Sequence, residues 1–90
     1  MEYSVTIARF DQYPADAPTN FAVGFSIVHA ATGRAIYMDA LVPFAGIVDM
    51  TDQTGIAAQA WAQISSAVQT WVTQCDSLSG IVGTPFVPPS

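Results

Sequence analysis

The chain contains very little charge. Its 90 residues include no lysine, two arginines (Arg9 and Arg34) and seven acidic residues. Charged residues make up 10% of the chain, whereas an ordinary soluble domain has about 25%. A free monomeric domain usually covers its exposed faces with lysine and glutamate. The shortage therefore indicates a chain whose surface is partly covered by neighbouring molecules.

The lack of positive charge also excludes a class of partner. The net charge is −5, and two arginines cannot form the basic face that neutralises nucleic-acid phosphates. We therefore expect no direct binding of nucleic acid. The single cysteine, Cys75, excludes a disulfide within the chain and fits a reducing compartment.

Long hydrophobic runs are missing as well. No stretch of about 18 apolar residues is present, as a membrane helix would need. The first four residues lack the basic and apolar regions of a signal peptide. We expect no membrane contact and no secretion by a signal peptide, which places the protein in a virion or a host cytoplasm. Yet 51% of the residues are hydrophobic, which is high for a small domain and favours contact between subunits.

Alternating apolar residues predict three β-strands, over Tyr3–Phe10, Phe21–Ala30 and Ala35–Val42. A loop rich in proline and aspartate, Asp11–Thr19, separates the first two strands. Thr32-Gly33 predicts a two-residue turn between the last two strands. That turn would set Ile27 opposite Met38 and His29 opposite Ile36, with the apolar residues on one face.

A long amphipathic helix follows, because apolar residues recur three and four positions apart from Gln53 to Cys75. Over residues 52–78 it would span about 40 Å, whereas eight-residue strands span about 27 Å. We therefore expect the helix to overhang the sheet, bend or end early. Its predicted apolar stripe comprises Ile56, Ala57, Ala60, Trp61, Ile64, Ala67, Val68, Trp71, Val72 and Cys75.

The helix ends also have sequence signals. Thr51 or Asp49 is suited to cap the first turn, and Asp52 is placed favourably near its positive end. Gly80 is suited to end the helix.

These patterns predict an α+β fold. Three antiparallel strands form a sheet in the order 1-2-3, and one long C-terminal helix packs on one face. Residues 1–80 form the single domain, and residues 81–90 form an extended, proline-rich arm. Phe86 and Val87 give this arm apolar side chains, which suits an arm that lies on a neighbouring subunit.

No residue pattern predicts catalysis. His29 is the only histidine, and its expected neighbour Ile36 is neither an acid nor a nucleophile, so we assign it a structural role. Cys75 lies near the C-terminal end of the helix beside Asp76, where neither a helix N-terminus nor a cation lowers its pKa. Core packing is therefore the role expected for Cys75.

The acidic residues do not predict a metal site. Asp11 and Asp16 flank a proline loop, and Asp49 and Asp52 flank the helix start. Calcium loops require a denser set of oxygen ligands. We predict no metal, no cofactor and no catalytic residue.

An uncovered sheet face is the main prediction about interactions. Gly24 lies in the middle of a strand, where glycine is unfavourable unless another element approaches closely. If the helix covers the Phe25 face, the Gly24 face has no cover from within the chain. We also expect one of Trp61 and Trp71 to pack on the sheet and the other to contact a neighbour. The predicted interface residues are Ala22, Gly24, Val28, Tyr37, Leu41, Trp71, Phe86 and Val87.

Two functional hypotheses follow. The first is a non-enzymatic structural subunit of a virus or phage particle, such as a capsid cement or a tail or neck protein. Its partners would be copies of itself and other structural proteins. The alternative is a homo-oligomeric cytoplasmic module that binds a small ligand or peptide in a groove between helix and sheet, lined by Trp61 or Tyr37. An enzyme would need a site assembled across subunits around His29 or the aspartates, and we predict none.

Overall fold

A computed structural model describes residues 3–78, 80 and 83–89. Three antiparallel strands, β1 (Tyr3–Tyr13), β2 (Asn20–His29) and β3 (Ala35–Pro43), form one sheet in the order β1-β2-β3. A short 3-10 helix, Phe44–Gly46, leads to the single long helix α1, Gln53–Leu78. The predicted α+β arrangement, with β2 central and one C-terminal helix, is confirmed.

The core lies between α1 and the face of the sheet that we call the inner face. Alternate residues of β2 point to this face because side chains alternate along a strand, and the helix stripe meets them. The core comprises Phe21, Val23, Phe25, Ile27, Val42, Ile56, Ala57, Ala60, Ile64, Val68 and Val72.

The helix stripe is confirmed except at Ala67, which is exposed. Cys75 is buried, as its packing role requires. Buried residues extend along α1 from Ile56 to Cys75, so no large part of the stripe overhangs the sheet. The strands are longer than expected, at 11, 10 and 9 residues, and they match the helix in length. The overhang therefore gives no argument for a partner.

Strand β1 does not end at Phe10 but continues to Tyr13. The pairing with β2 shifts between Ile7 and Arg9, which marks a β-bulge. The extra residue reverses the alternation, so Arg9 lies on the outer face and Phe10 on the inner face. A constant period of two cannot reveal such a change. The strand end at Phe10 and the loop from Asp11 are wrong by three residues, because the aspartates and prolines of this segment favour a loop.

The predicted register of the β2–β3 hairpin is wrong by two residues. Ile27 pairs with Ile36 rather than with Met38, and the loop is four residues long, 30–33, rather than two. Gly33 closes this loop in a left-handed conformation, with φ of 71°, which glycine adopts readily. A shift of two residues keeps every side chain on its face, so the apolar pattern fits both registers equally well.

Asp52, rather than Thr51 or Asp49, caps α1. The Oδ1 atom of Asp52 accepts a hydrogen bond from the Gly55 backbone N–H at 3.1 Å. The Oδ1 atom of Asp49 instead accepts the Thr51 N–H at 2.9 Å and the Thr51 hydroxyl at 2.6 Å. These hydrogen bonds lower the pKa of Asp49, because they favour the ionised carboxylate.

The described part of the arm is exposed. Phe86 and Val87 are 78% and 88% exposed. The Thr84 hydroxyl donates to the Gly80 carbonyl oxygen at 3.1 Å, which holds these two residues close together. Residues 81, 82 and 90 lie outside the described residues, so an extended course over 81–90 stays a prediction.

Candidate interaction surfaces

Strand β1 has exposed apolar side chains on the inner face. Val5 is 40% exposed and Ile7 is 52% exposed, and none of the eleven described residues of β1 is buried. The reason is the width of the covering layer. A helix is about 10 Å across and neighbouring strands lie about 4.8 Å apart, so one helix covers two strands. Here α1 covers β2 and β3, and we call the uncovered pair Val5 and Ile7 the β1 strip.

A groove lies between β1 and the first turns of α1, and we call it the β1 groove. Its volume is about 380 Å³, at the small end of the range of ligand-binding pockets. Neither Trp61 nor Tyr37 lines this groove, so a groove lined by either residue stays a prediction. The lining residues carry no charge: Ile7, Phe10, Gln53, Thr54 and Ala57.

A second groove of about 340 Å³, near the connector and the helix start, contains Asp49 and Asp52. Both carboxylates already accept hydrogen bonds from their own turn, from Thr51 and Gly55 respectively. In the described part of the chain, no three metal-ligating side chains come together. These two aspartates therefore each stabilise a local turn at the start of the helix.

The outer face of the sheet contains five of the predicted interface residues. Val28, Tyr37 and Leu41 are exposed, whereas Ala22 and Gly24 are buried. The Tyr37 ring lies across Gly24, where a Cβ atom would collide with its hydroxyl. The residue that approaches this glycine closely is thus Tyr37 of the same chain. An interface at Ala22 and Gly24 stays a prediction, and it would require Tyr37 to move.

Polar residues also distinguish the outer face from the β1 strip. Arg9 and Asp11 form an ion pair there, with Nε and Oδ2 2.8 Å apart. The hydrogen bond to Asp11, followed by a hydrogen bond with Tyr37, raises the pKa of Arg9. Asp39 is also exposed on this face. The outer face therefore has charged groups suited to water, whereas the β1 strip is purely apolar.

Both tryptophans have partners within the chain. The Trp61 ring meets the Phe25 ring edge-on, with centroids 5.4 Å apart. The Trp71 ring meets the His29 ring edge-on at 6.4 Å. Both are half-buried, so contact of Trp71 with a neighbour stays a prediction.

His29 has partners that its sequence context did not suggest. Its side chain is completely buried, and Nε2 lies 2.7 Å from Oδ1 of Asp76. Nδ1 lies 2.9 Å from the Thr32 hydroxyl and accepts the Thr32 backbone N–H at 3.3 Å. Because Nδ1 accepts, the neutral ring carries its proton on Nε2 and donates it to Asp76. The neighbour across the hairpin is Arg34, not Ile36.

This series of carboxylate, imidazole and hydroxyl has the order found in nucleophilic triads. Its surroundings favour a structural role, because the ring is completely buried and the Thr32 hydroxyl also accepts the Arg34 N–H at 3.3 Å. The bonds connect the hairpin to the last turns of α1. One sequence signal could have identified the pair. His29 is the polar residue at the end of the apolar face of β2, and Asp76 is the polar residue at the end of the apolar stripe of α1.

Comparisons with models of protein families, with curated proteins and with solved structures found no match to this chain. In the part of the chain that the structure describes, no helix has the length and apolar character needed to cross a membrane.

Proposed function

We propose that the protein is a non-enzymatic structural subunit that assembles with copies of itself and with other structural proteins of a virus or phage particle. The observation that carries the proposal is the β1 strip. A sheet with an apolar inner face needs a second layer over all its strands, and α1 supplies that layer for two of three. A neighbouring subunit would supply the rest.

The charge distribution supports association of like chains. Copies with a net charge of −5 repel each other at long range. Contact is least unfavourable where both surfaces are uncharged, and the β1 strip and β1 groove meet that condition. Exposed apolar surface and a long edge strand are also features of association sites.

The location follows from this role. A subunit of such a particle is made in the host cytoplasm and ends in the virion. The low content of charged residues fits that setting, because neighbours in an ordered assembly cover surface that a free domain exposes to water.

The mass of the full-length chain in solution, measured by light scattering over a range of concentrations, tests the proposal. We expect an oligomer that Ile7→Asn weakens, because the asparagine would place a polar group in the apolar contact. Thr6→Asn is the matched control, since it lies next to Ile7 on the outer side of the same exposed strand. A chain that stays monomeric at the highest concentration would contradict self-assembly. Equal effects of the two substitutions on an oligomer would contradict the β1 strip as its contact.

The β1 groove favours the alternative function, a homo-oligomeric cytoplasmic module that binds a small ligand or peptide. Its uncharged, mostly apolar lining and volume of about 380 Å³ suit an apolar group of limited size. A ligand of this kind would raise the melting temperature of the protein without changing its mass in solution. A structural subunit would show no such rise in melting temperature, and its assembly with copies of itself would need no small molecule.

A further inference from the structure

The C-terminal arm carries apolar side chains that its own chain does not cover. Among the residues that the structure describes, Phe86 and Val87 are the most exposed large apolar residues after Val48. Residues 83–89 contain no charged side chain. Prolines at 85, 88 and 89 stiffen this segment, so that it loses little conformational freedom on binding. The arm therefore has the chemistry of a segment that binds an uncharged apolar groove.

The arm cannot fill the β1 groove of its own chain. The groove lies at the start of α1, around Ala57, whereas the arm follows its end at Leu78. These two residues are about 32 Å apart along the helix axis. The eight residues from Leu78 to Phe86 span at most about 28 Å when fully extended. The hydrogen bond between Thr84 and Gly80 shortens that reach further.

We infer that the β1 groove of one copy binds Phe86 from the arm of a second copy. This inference rests on the proposed self-assembly and names its contact. The groove and the arm match in chemistry, since both are mostly apolar and carry no charge. They match in geometry as well, because only another copy can bring Phe86 to Ile7 and Phe10. The exchange would connect neighbouring subunits through a segment outside the folded domain.

Disulfide cross-linking between two different full-length variants tests the contact. Thr54→Cys places a thiol at the groove rim, and Val87→Cys places one beside Phe86. Phe86 and the apolar groove residues Ile7 and Phe10 remain unchanged. Mixing the two chains under mild oxidation with diamide should give a covalent dimer with one copy of each, identified by mass spectrometry. The control pairs Val87→Cys with Ser4→Cys, an exposed residue on the outer face. The native Cys75 is buried and is present in every mixture.

A second measurement uses the oligomer without cross-linking. We expect Phe86→Ser to weaken self-association by about 10- to 100-fold, the factor that corresponds to burial of one large apolar side chain. Pro89→Ser, in the same arm, is the control and should change it by less than about threefold.

The outcomes separate this inference from the proposed function. Preferential cross-linking of Thr54→Cys with Val87→Cys, together with weaker association of Phe86→Ser, supports arm exchange. An oligomer that cross-links no better than the control and tolerates Phe86→Ser overturns arm exchange but leaves self-assembly intact. A full-length chain that is monomeric at all concentrations overturns both.

Discussion

The two edge strands of this sheet differ in how far the helix covers them. The alternation of apolar residues along the sequence does not show this difference. Strands β1 and β3 both pair antiparallel with β2, and both direct apolar residues to the inner face. On β3, Val42 is 1% exposed beneath α1, whereas on β1 the valine at position 5 is 40% exposed. The difference arises because a single helix covers about two strands.

Two side-chain contacts hold the helix on the β3 side. The Gln63 side-chain amide donates to the Leu41 carbonyl oxygen of β3 at 2.8 Å, and His29 binds Asp76 at the hairpin end. The bond from Gln63 also occupies a backbone acceptor on β3, which protects that strand from pairing with other chains. The position of the helix thus decides which edge strand has an exposed inner face.

A matched pair of valine substitutions tests the comparison most strongly. Val42→Ala should lower the free energy of unfolding by about 2 kcal/mol, because it removes buried methyl groups and leaves a cavity. Val5→Ala should cost less than about 0.5 kcal/mol in the monomer, since its side chain is already partly in water. Urea unfolding at low protein concentration measures both values. Equal costs would show that β1 is covered within the single chain.

The contact between His29 and Asp76 should have the next largest effect. Asp76→Ala leaves the Nε2–H of a completely buried ring without this acceptor and should cost about 1.5 kcal/mol. Asp39→Ala, at an exposed position on the outer face, is the control and should cost less than about 0.5 kcal/mol. Thermal and urea unfolding measure both variants, and similar losses would mean that the contact does not stabilise the helix position.

Removal of the bond from Gln63 should have a smaller effect. Gln63→Ala should lower the free energy of unfolding by about 0.5 kcal/mol, because the bond is exposed and water can replace it. Hydrogen exchange at the backbone of β3 is a sharper measurement, and it should accelerate near Leu41 more than in β1. Gln69→Ala, on the exposed face of the same helix, provides the comparison, and an equal change in that variant would contradict the role of Gln63.

The smallest expected effect concerns the segment that connects β3 to α1, and this effect depends on pH. The hydrogen bonds from Thr51 lower the pKa of Asp49 below its ordinary value of 3.8. Asp49 therefore contributes stability above its ordinary pKa, and this contribution is lost as the pH falls through the folded-state value.

Melting temperatures from pH about 5 down to about 2 measure this contribution. Asp49→Asn should make the acid limb less steep, whereas Asp39→Asn serves as the control for an exposed strand position. An acid limb that Asp49→Asn leaves unchanged would contradict the assignment.

The strands, the helix and their apolar faces could be predicted because each depends on a local period. Two residues along a strand and about 3.6 along a helix place side chains on a face whatever the partner is. The bulge at Ala8 and the four-residue loop before Arg34 could not be predicted in this way. A bulge interrupts the period, and a register shift of two residues preserves it.

The candidate surfaces were only partly predictable for the same reason. The exposure of Phe86 and Val87 fits the expectation of an apolar arm. A groove between helix and sheet was expected as well, but not its place between β1 and the first turns of α1. Gly24 was noticed as unusual, yet the element that approaches it is Tyr37, which a sequence pattern does not identify. His29 and Asp76 are 47 positions apart, with no local motif to connect them.

By itself, the sequence determined the α+β class, the strand order, the apolar stripe of α1 and the shortage of charge, because these depend on composition and local spacing. Only the tertiary structure decided that α1 lies over β2 and β3, that β1 is open on its inner face, and that His29 meets Asp76. Those outcomes depend on the width of one helix relative to three strands and on contacts between distant residues, which no local period encodes.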